Sequence, residues 1–139
     1  MQKVEGCAHC AGVNEDRLWE GDLFRIVLVH NSGFEGWCRV VLHEHVAELT
    51  DLDVDQRQAV LAAVIALEEA LRAELQPTKM NIAALATGMP HLHFHLIPRF
   101  SDDPTFPEPV WLPPVRTSAR ALPEGFAGRM SERLAAARR

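Results

Sequence analysis

Four stretches of the chain carry the period-two or short apolar patterning of strands, and one carries the period of a helix. "LFRIVLVH" (23–30) is rich in branched apolar residues and is entered from Gly21-Asp22, which predicts a strand. "NSGFEG" (31–36) is turn chemistry, and "WCRVVLH" (37–43) reads as a second strand. From Asp53 onward Val60, Val64, Leu67, Leu71 and Leu75 recur at three- and four-residue steps, with charged residues between them. Asp53 and Gln56 form a capping pair ahead of that helix, and Pro77 lies just beyond its end. "KMNIAALA" (79–86) predicts a third strand, "TGMP" a tight connection, and "HLHFHLI" (91–97) a fourth strand. The proline-rich "DPTFPEPVWLPPV" cannot sit inside a sheet and should run over the surface. "EGFAGRMSERLAAARR" closes the chain with a short helix. The order implies an α+β fold, an antiparallel sheet covered by one long helix.

The 139 residues fit a single domain, 1–139, and with 47% apolar residues a core can form without disulfides. The formal charge of -5 argues against a general nucleic-acid binder, although a local site can oppose the net charge. No stretch approaches the ~20 apolar residues of a membrane span. "MQKVEGCAHC" has no signal-peptide core, so a cytoplasmic protein is expected. Cys7-x-x-Cys10 then reads as metal or redox chemistry.

The unusual chemistry lies in 91–95. On a strand His91, His93 and His95 share one face, and Leu92, Phe94 and Leu96 anchor the other in the core. The outer imidazoles would start roughly 13 Å apart, so one small ligand can meet more than one of them. A solvated face that happens to be rich in histidine is the plainer alternative. Two chemistries suit the row: metal ligation by an H-x-H pair, or phosphate chemistry by neutral imidazoles.

"HLHFHLI" matches the H-φ-H-φ-H-φ-φ motif of the histidine triad (HIT) family, φ being apolar. With "NIAALATGMPHLHFHLIPRFSDDPTFPEPVW" and "LFRIVLVHNSGFEGWCRVVLHEHVAELTDL", residues 7–112 resemble a bacterial branch described as diadenosine-tetraphosphate-hydrolase-like, leaving 113–139 as a C-terminal tail. The resemblance implies a HIT-like fold and a nucleotidyl hydrolase or transferase acting on nucleoside phosphates or dinucleoside polyphosphates. Under it His93 is the nucleophile, His91 holds His93 in its reactive tautomer, and His95 contacts phosphate oxygens. The nucleoside would lie along the Phe24–Leu28 strand, with Leu28 and Arg99 among its contacts. Asn31, in preference to His30, would meet the ribose, and Thr87 would either meet phosphate or cap its turn. Trp37 stands where many relatives carry a fourth histidine, and it either walls the pocket or packs in the core.

Some relatives close a structural zinc with two cysteines, a histidine ending the second strand and the first triad histidine. Carried over, the ligands are Cys7, Cys10, His45 and His91, and the zinc would pin His91. Cys38 is expected as a core thiol, and His9 and His43 as surface residues without a role. The family also implies a homodimer. Two rival readings stay open: a nucleotide-binding module without turnover, and a zinc metallohydrolase using two of His91, His93 and His95.

Overall fold

The structure is a computed structural model, and it describes residues 3–137. In chain order it contains α1 (Ala8–Ala11), β1 (Asp16–Glu20), β2 (Phe24–Leu28), β3 (Cys38–Leu42), α2 (Val54–Leu75), β4 (Lys79–Ala83), β5 (His93–Arg99) and α3 (Phe126–Ala137), with a 3-10 turn at Leu49–Asp51. The strands form one antiparallel sheet in the order β1-β2-β3-β5-β4. The α+β sheet, long helix and short C-terminal helix therefore stand as expected from the sequence.

Strand alternation gives the sheet two unlike faces. Phe24, Ile26 and Leu28 of β2, Cys38, Val40 and Leu42 of β3, and Leu96 of β5 turn toward the helices and form the core. Val60, Ala63, Val64, Leu67, Ala70 and Leu71 of α2 cover them, with Phe126, Met130 and Leu134 of α3 alongside. The capping box that starts α2 is present: the Asp53 carboxylate accepts from the Gln56 amide at 2.8 Å, and the Gln56 side chain accepts from the Asp53 amide at 3.0 Å. The helix stops where Gln76 turns left-handed (φ 50°) ahead of Pro77. Glu74 near its end accepts from Arg129 at 2.8 Å and Arg133 at 2.7 Å, which fastens α3.

The uncovered face carries Arg25 and Val27 of β2, Arg39 and Val41 of β3, and His93 and His95 of β5. The register pairs Val27 with Arg39 and Arg39 with His95, and pairs Val41 with His93. This face is free of α2 and α3 but not bare, since α1 reaches it and lays His9 against His93.

Three boundaries differ from the expectation. The third strand ends at Ala83 because Ala86 takes a left-handed φ of 52°. The fourth begins at His93, not His91: the Leu92 amide donates to Val46 O and the His91 amide to Met89 O, outside the ladder. It continues through Pro98 to Arg99, because β3 pairs with β5 only as far as Leu96 and needs no donor beyond it. The proline-rich segment stays outside the sheet.

Candidate functional site

The site assembles where β5 begins. His91 lies two residues before the strand, yet Leu92 keeps to the core side and the His91 ring stays on the face of His93, with the His9 ring 5.5 Å from one and 4.2 Å from the other. His91 is fully buried, with Nδ1 at 3.4 Å from Cys7 Sγ, 3.3 Å from Cys10 Sγ and 3.2 Å from His45 Nδ1. Cys10 Sγ is also 3.3 Å from His45 Nδ1. Leu92, Phe94 and Leu96 pack on the core side, so His91, His93 and His95 lie on the opposite face as expected, with His91 at the end beside the cysteines.

These four side chains form a candidate metal site, their ligand atoms all within 4.8 Å of one another. Zinc bonds of about 2.3 Å to sulfur and about 2.05 Å to nitrogen give tetrahedral edges of roughly 3.3 Å for N–N and roughly 3.6 Å for S–N. The N–N and S–N separations here, 3.2 Å and 3.3–3.4 Å, come within a few tenths of an ångström of those edges. His91 Nε2 donates to Leu42 O at 2.6 Å, which leaves the Nδ1 lone pair pointing at the cluster. Among the described residues no other group of three or more metal-ligating side chains converges.

His93 and His95 are joined in one chain of hydrogen bonds whose two ends are chemically unambiguous. At one end His93 Nδ1 lies 2.7 Å from His91 O, and a carbonyl only accepts, so Nδ1 carries the proton. At the other end Trp37 Nε1 donates to His95 Nδ1 at 3.1 Å, and an indole only donates, so His95 carries its proton on Nε2. The two Nε2 atoms lie 3.2 Å apart, which makes His95 the donor and His93 the holder of a free lone pair. In this arrangement His93 and His95 are both neutral rings.

Neutrality is enforced by the surroundings. Burial pushes His95 down to about 4, with His93 and the Arg39 cation adding to the effect. His93 and His91 are also lowered, chiefly by burial. His9, expected on the surface, instead packs its ring 4.2 Å from that of His93, and burial lowers it to about 4. It sits between the two cysteines on α1, so the metal loop and the His93 ring share a contact. His43 is corrected likewise: Nε2 donates to Gly21 O at 2.8 Å and Nδ1 accepts from Arg25 at 3.4 Å.

Beside His95 opens a cleft of about 770 Å³, lined by Trp37, Arg39, Asn81, Ile97 and Trp111 among others. A smaller hollow of about 220 Å³ flanks His93 and is lined by Thr87, Pro90 and Glu48. The proline-rich segment walls the larger cleft with Phe106, Pro107 and Pro109. Arg99 lines that cleft too, yet its guanidinium is committed: Nε and one terminal nitrogen meet Asp103 at 2.7 and 3.0 Å, and the other meets Asn81 at 2.8 Å. Its work here is to fasten the segment. Asn31 is exposed in a left-handed turn (φ 59°), and His30 pairs with Asp16 at 2.7 Å. Leu28 is the one expected contact on the wrong face, buried in the core beneath the helices; Val27 takes the open side. Cys38 is buried in the core, and burial raises its thiol well above the ordinary range.

Sequence reasoning missed His9 and Arg39. The signal for Arg39 was available, since Trp37, Arg39 and Val41 alternate along one strand face. That for His9 was not, because its placement depends on how the cysteine loop folds back.

An open antiparallel sheet with a neutral imidazole pair over an anion-friendly cleft defines a histidine-centred site of the kind that handles phosphate esters. The family model described as the HIT domain matches residues 12–102, and the chain belongs to the HIT domain family. Its members are in general nucleotide hydrolases and transferases, and some only bind. The fold is similar to that of a histidine triad protein from Bradyrhizobium japonicum (22% identity, 97% of this chain and 96% of that one, TM-score 0.71). It is also similar to a histidine triad protein from Marinobacter aquaeolei VT8 (28%, 96% and 94%, TM-score 0.70). A third similar structure is a Zn-bound histidine triad family protein from Mycobacterium smegmatis (22%, 94% and 94%, TM-score 0.65). No curated protein matches the chain significantly.

Proposed function

We propose that the chain is a nucleotidyl hydrolase, acting on nucleoside phosphates or dinucleoside polyphosphates in the manner of the diadenosine-tetraphosphate-hydrolase-like branch. The observation that carries this is the lone pair on His93 Nε2, held in place by a proton on Nδ1 bonded to His91 O at 2.7 Å. In the first step Nε2 attacks the α-phosphorus, the N–P bond forms, and the P–O bond to the leaving group breaks with its electron pair leaving on oxygen. The His93 ring becomes cationic and the His91 carbonyl faces that charge. His95 swings its Nε2–H from His93 to a phosphoryl oxygen and stabilises the transition state by hydrogen bonding. Water then attacks phosphorus, the N–P bond breaks, neutral His93 returns, and the water proton goes to solvent. Thr87 lines the hollow beside His93, which supports a phosphate contact for it in this reading.

Zinc is the ion we assign to Cys7, Cys10, His45 and His91, on the S₂N₂ donor set and its tetrahedral fit. It would supply rigidity at His91. We further propose a cytoplasmic homodimer that binds no long nucleic acid. The outer edge of β4, unpaired among the described residues and carrying exposed Ile82, offers a strand edge to a second copy.

A binding module without turnover is the second reading, favoured by one observation: in the free protein the His95 N–H rests on the very lone pair that must attack. Rapid mixing with a labelled adenine nucleotide, followed by mass spectrometry of the peptide holding 91–99, separates the two. An AMP-sized adduct on His93, lost in His93→Ala together with turnover, is expected. A fully active His93→Ala variant would refute the mechanism.

A further inference from the structure

Among the described residues, Arg39 is the one arginine short of a partner where a partner is needed. Arg17, Arg25, Arg57, Arg99, Arg116, Arg120, Arg129 and Arg133 all donate to acceptors within the protein. Arg72 has none but is exposed on α2, where water serves. Arg39 is half-buried, makes no hydrogen bond or ion pair to any described residue, and has its Nε sealed from solvent without an acceptor. Glu15 is the carboxylate whose charge reaches it, but the Glu15 oxygens are held by Arg25 at 2.7 and 2.8 Å and by Arg17 at 3.1 Å. A buried N–H donor left unsatisfied destabilises the free protein, and the Arg39 Nε in a native fold calls for an explanation.

Its surroundings supply one. Arg39 lies directly across the ladder from His95, where cross-strand Cβ atoms stand roughly 5 Å apart, and both line the larger cleft. That cleft has no Asp or Glu in its lining. Its other cations are occupied: Arg99 by Asp103 and Asn81, and Lys79 by Met80 O at 2.9 Å. An acidic chain has therefore kept one uncommitted guanidinium beside the reacting histidines.

We propose that Arg39 binds a second phosphate of the substrate, the one bridged to the phosphorus that His93 attacks, so that the preferred leaving group is an anionic phosphate and not a neutral amine or alcohol. This rests on the nucleotide reading above and deepens it. A guanidinium donates two parallel N–H bonds to a phosphate, and charge-assisted bonds of this kind are about twice as strong as neutral ones. The same contact would hold the departing phosphate as its charge grows.

The test uses two non-reacting probes, AMP and α,β-methylene-ADP, titrated calorimetrically into the full chain as purified with its metal. The wild type should bind the two-phosphate probe about 10- to 100-fold more tightly than AMP, the worth of charge-assisted hydrogen bonds to one buried cation. In Arg39→Met the preference should collapse to within about threefold, and Arg39→Lys, which returns a point charge without the fork, should recover part of it. A merely structural arginine would weaken both probes alike and leave their ratio unmoved. Equal binding of the two probes by wild type overturns this proposal and leaves the nucleotide reading standing, a result that holds even if the variants fail to fold. A preference that survives in folded Arg39→Met also overturns it. Binding of neither probe overturns both.

Discussion

Replacing Trp37 by Phe tests the hydrogen-bond chain on which the proposed nucleophilic role of His93 depends. The substitution keeps an aromatic ring near His95, where the two rings now meet edge to face with centroids 5.5 Å apart. It removes one thing, the Nε1–H that donates to His95 Nδ1 at 3.1 Å. Without that donor the Nδ1-protonated tautomer of His95 is no longer excluded, and in that form His95 has no Nε2–H to offer a phosphoryl oxygen. A neutral hydrogen bond contributes about 0.5–1.5 kcal/mol, so the ratio of productive to unproductive tautomer should fall roughly 2- to 13-fold, and kcat by no more than that factor. Complete loss of the His95 donor in His95→Ala should cost about 10²–10³-fold. If Trp37 acts only through His95, the double variant should be no slower than His95→Ala alone, a strongly non-additive cycle. Trp37→His, which restores a ring N–H, should recover part of the rate. The assay is single-turnover cleavage of a nucleotide substrate at saturating enzyme, which isolates the chemical step. Additive losses in the double variant would show that Trp37 works elsewhere and would break the tautomer argument.

The remaining expectations concern metal, pH and stability. Protein purified without chelators should carry about one zinc per chain in S/N coordination, and Cys10→Ser should lose both the metal and much of the activity; a folded, active, metal-free preparation refutes the assignment. Since His95 titrates at about 4 in the folded protein, below the ordinary 6.5, the unfolded chain takes up its proton first as pH falls. Its contribution to stability is therefore present above about 6.5 and is lost progressively down to about 4; a His95→Phe variant should show a shallower loss in melts across that window, and an unchanged slope would contradict the burial argument. Asp103→Ala strands the buried Arg99 charge and should cost about 3–5 kcal/mol, read as a lower midpoint in urea. A change under 1 kcal/mol would mean that water replaces the carboxylate there.

The sheet and the long helix were legible because each element shows its period on one face. β2 and β3 are short runs rich in branched apolar residues, β5 alternates His with apolar residues, and Asp53 with Gln56 marks the start of α2. β1 was not legible. Its pairing with β2 shifts register between Arg17 and Trp19, and such a bulge breaks the alternation by which a strand is recognised. The site was readable in residue types but not in its division of labour. Alternation puts His91, His93 and His95 on one face, but the direct pairing of His93 with His95 and the His9 ring against His93 come only with the fold. Leu28 was a parity error of one position, enough to exchange the cleft for the core. Arg39 shows the limit most clearly, since alternation gives its face and only three dimensions give its missing partner.

The division of labour at His91 ties the metal site to the chemistry. Its Nδ1 faces Cys7, Cys10 and His45, its Nε2 is spent on Leu42 O, and its backbone carbonyl receives the His93 proton. An imidazole held at both nitrogens cannot rotate, so the carbonyl attached to it is held as well. That carbonyl dictates which nitrogen of His93 keeps a lone pair. His9 adds a second link, because the loop that presents the cysteines also lays a ring against His93 at 4.2 Å. A metal held here would act on the proposed reaction without touching substrate: it would limit the positions His93 can take, and a tautomer already set before substrate arrives would leave less reorganisation for the transition state. Loss of the metal should accordingly depress kcat while leaving KM for the nucleotide nearly unchanged, since the larger cleft beside His95 is lined by none of the four ligands. Equal losses in binding and turnover would instead place the metal in the pocket itself.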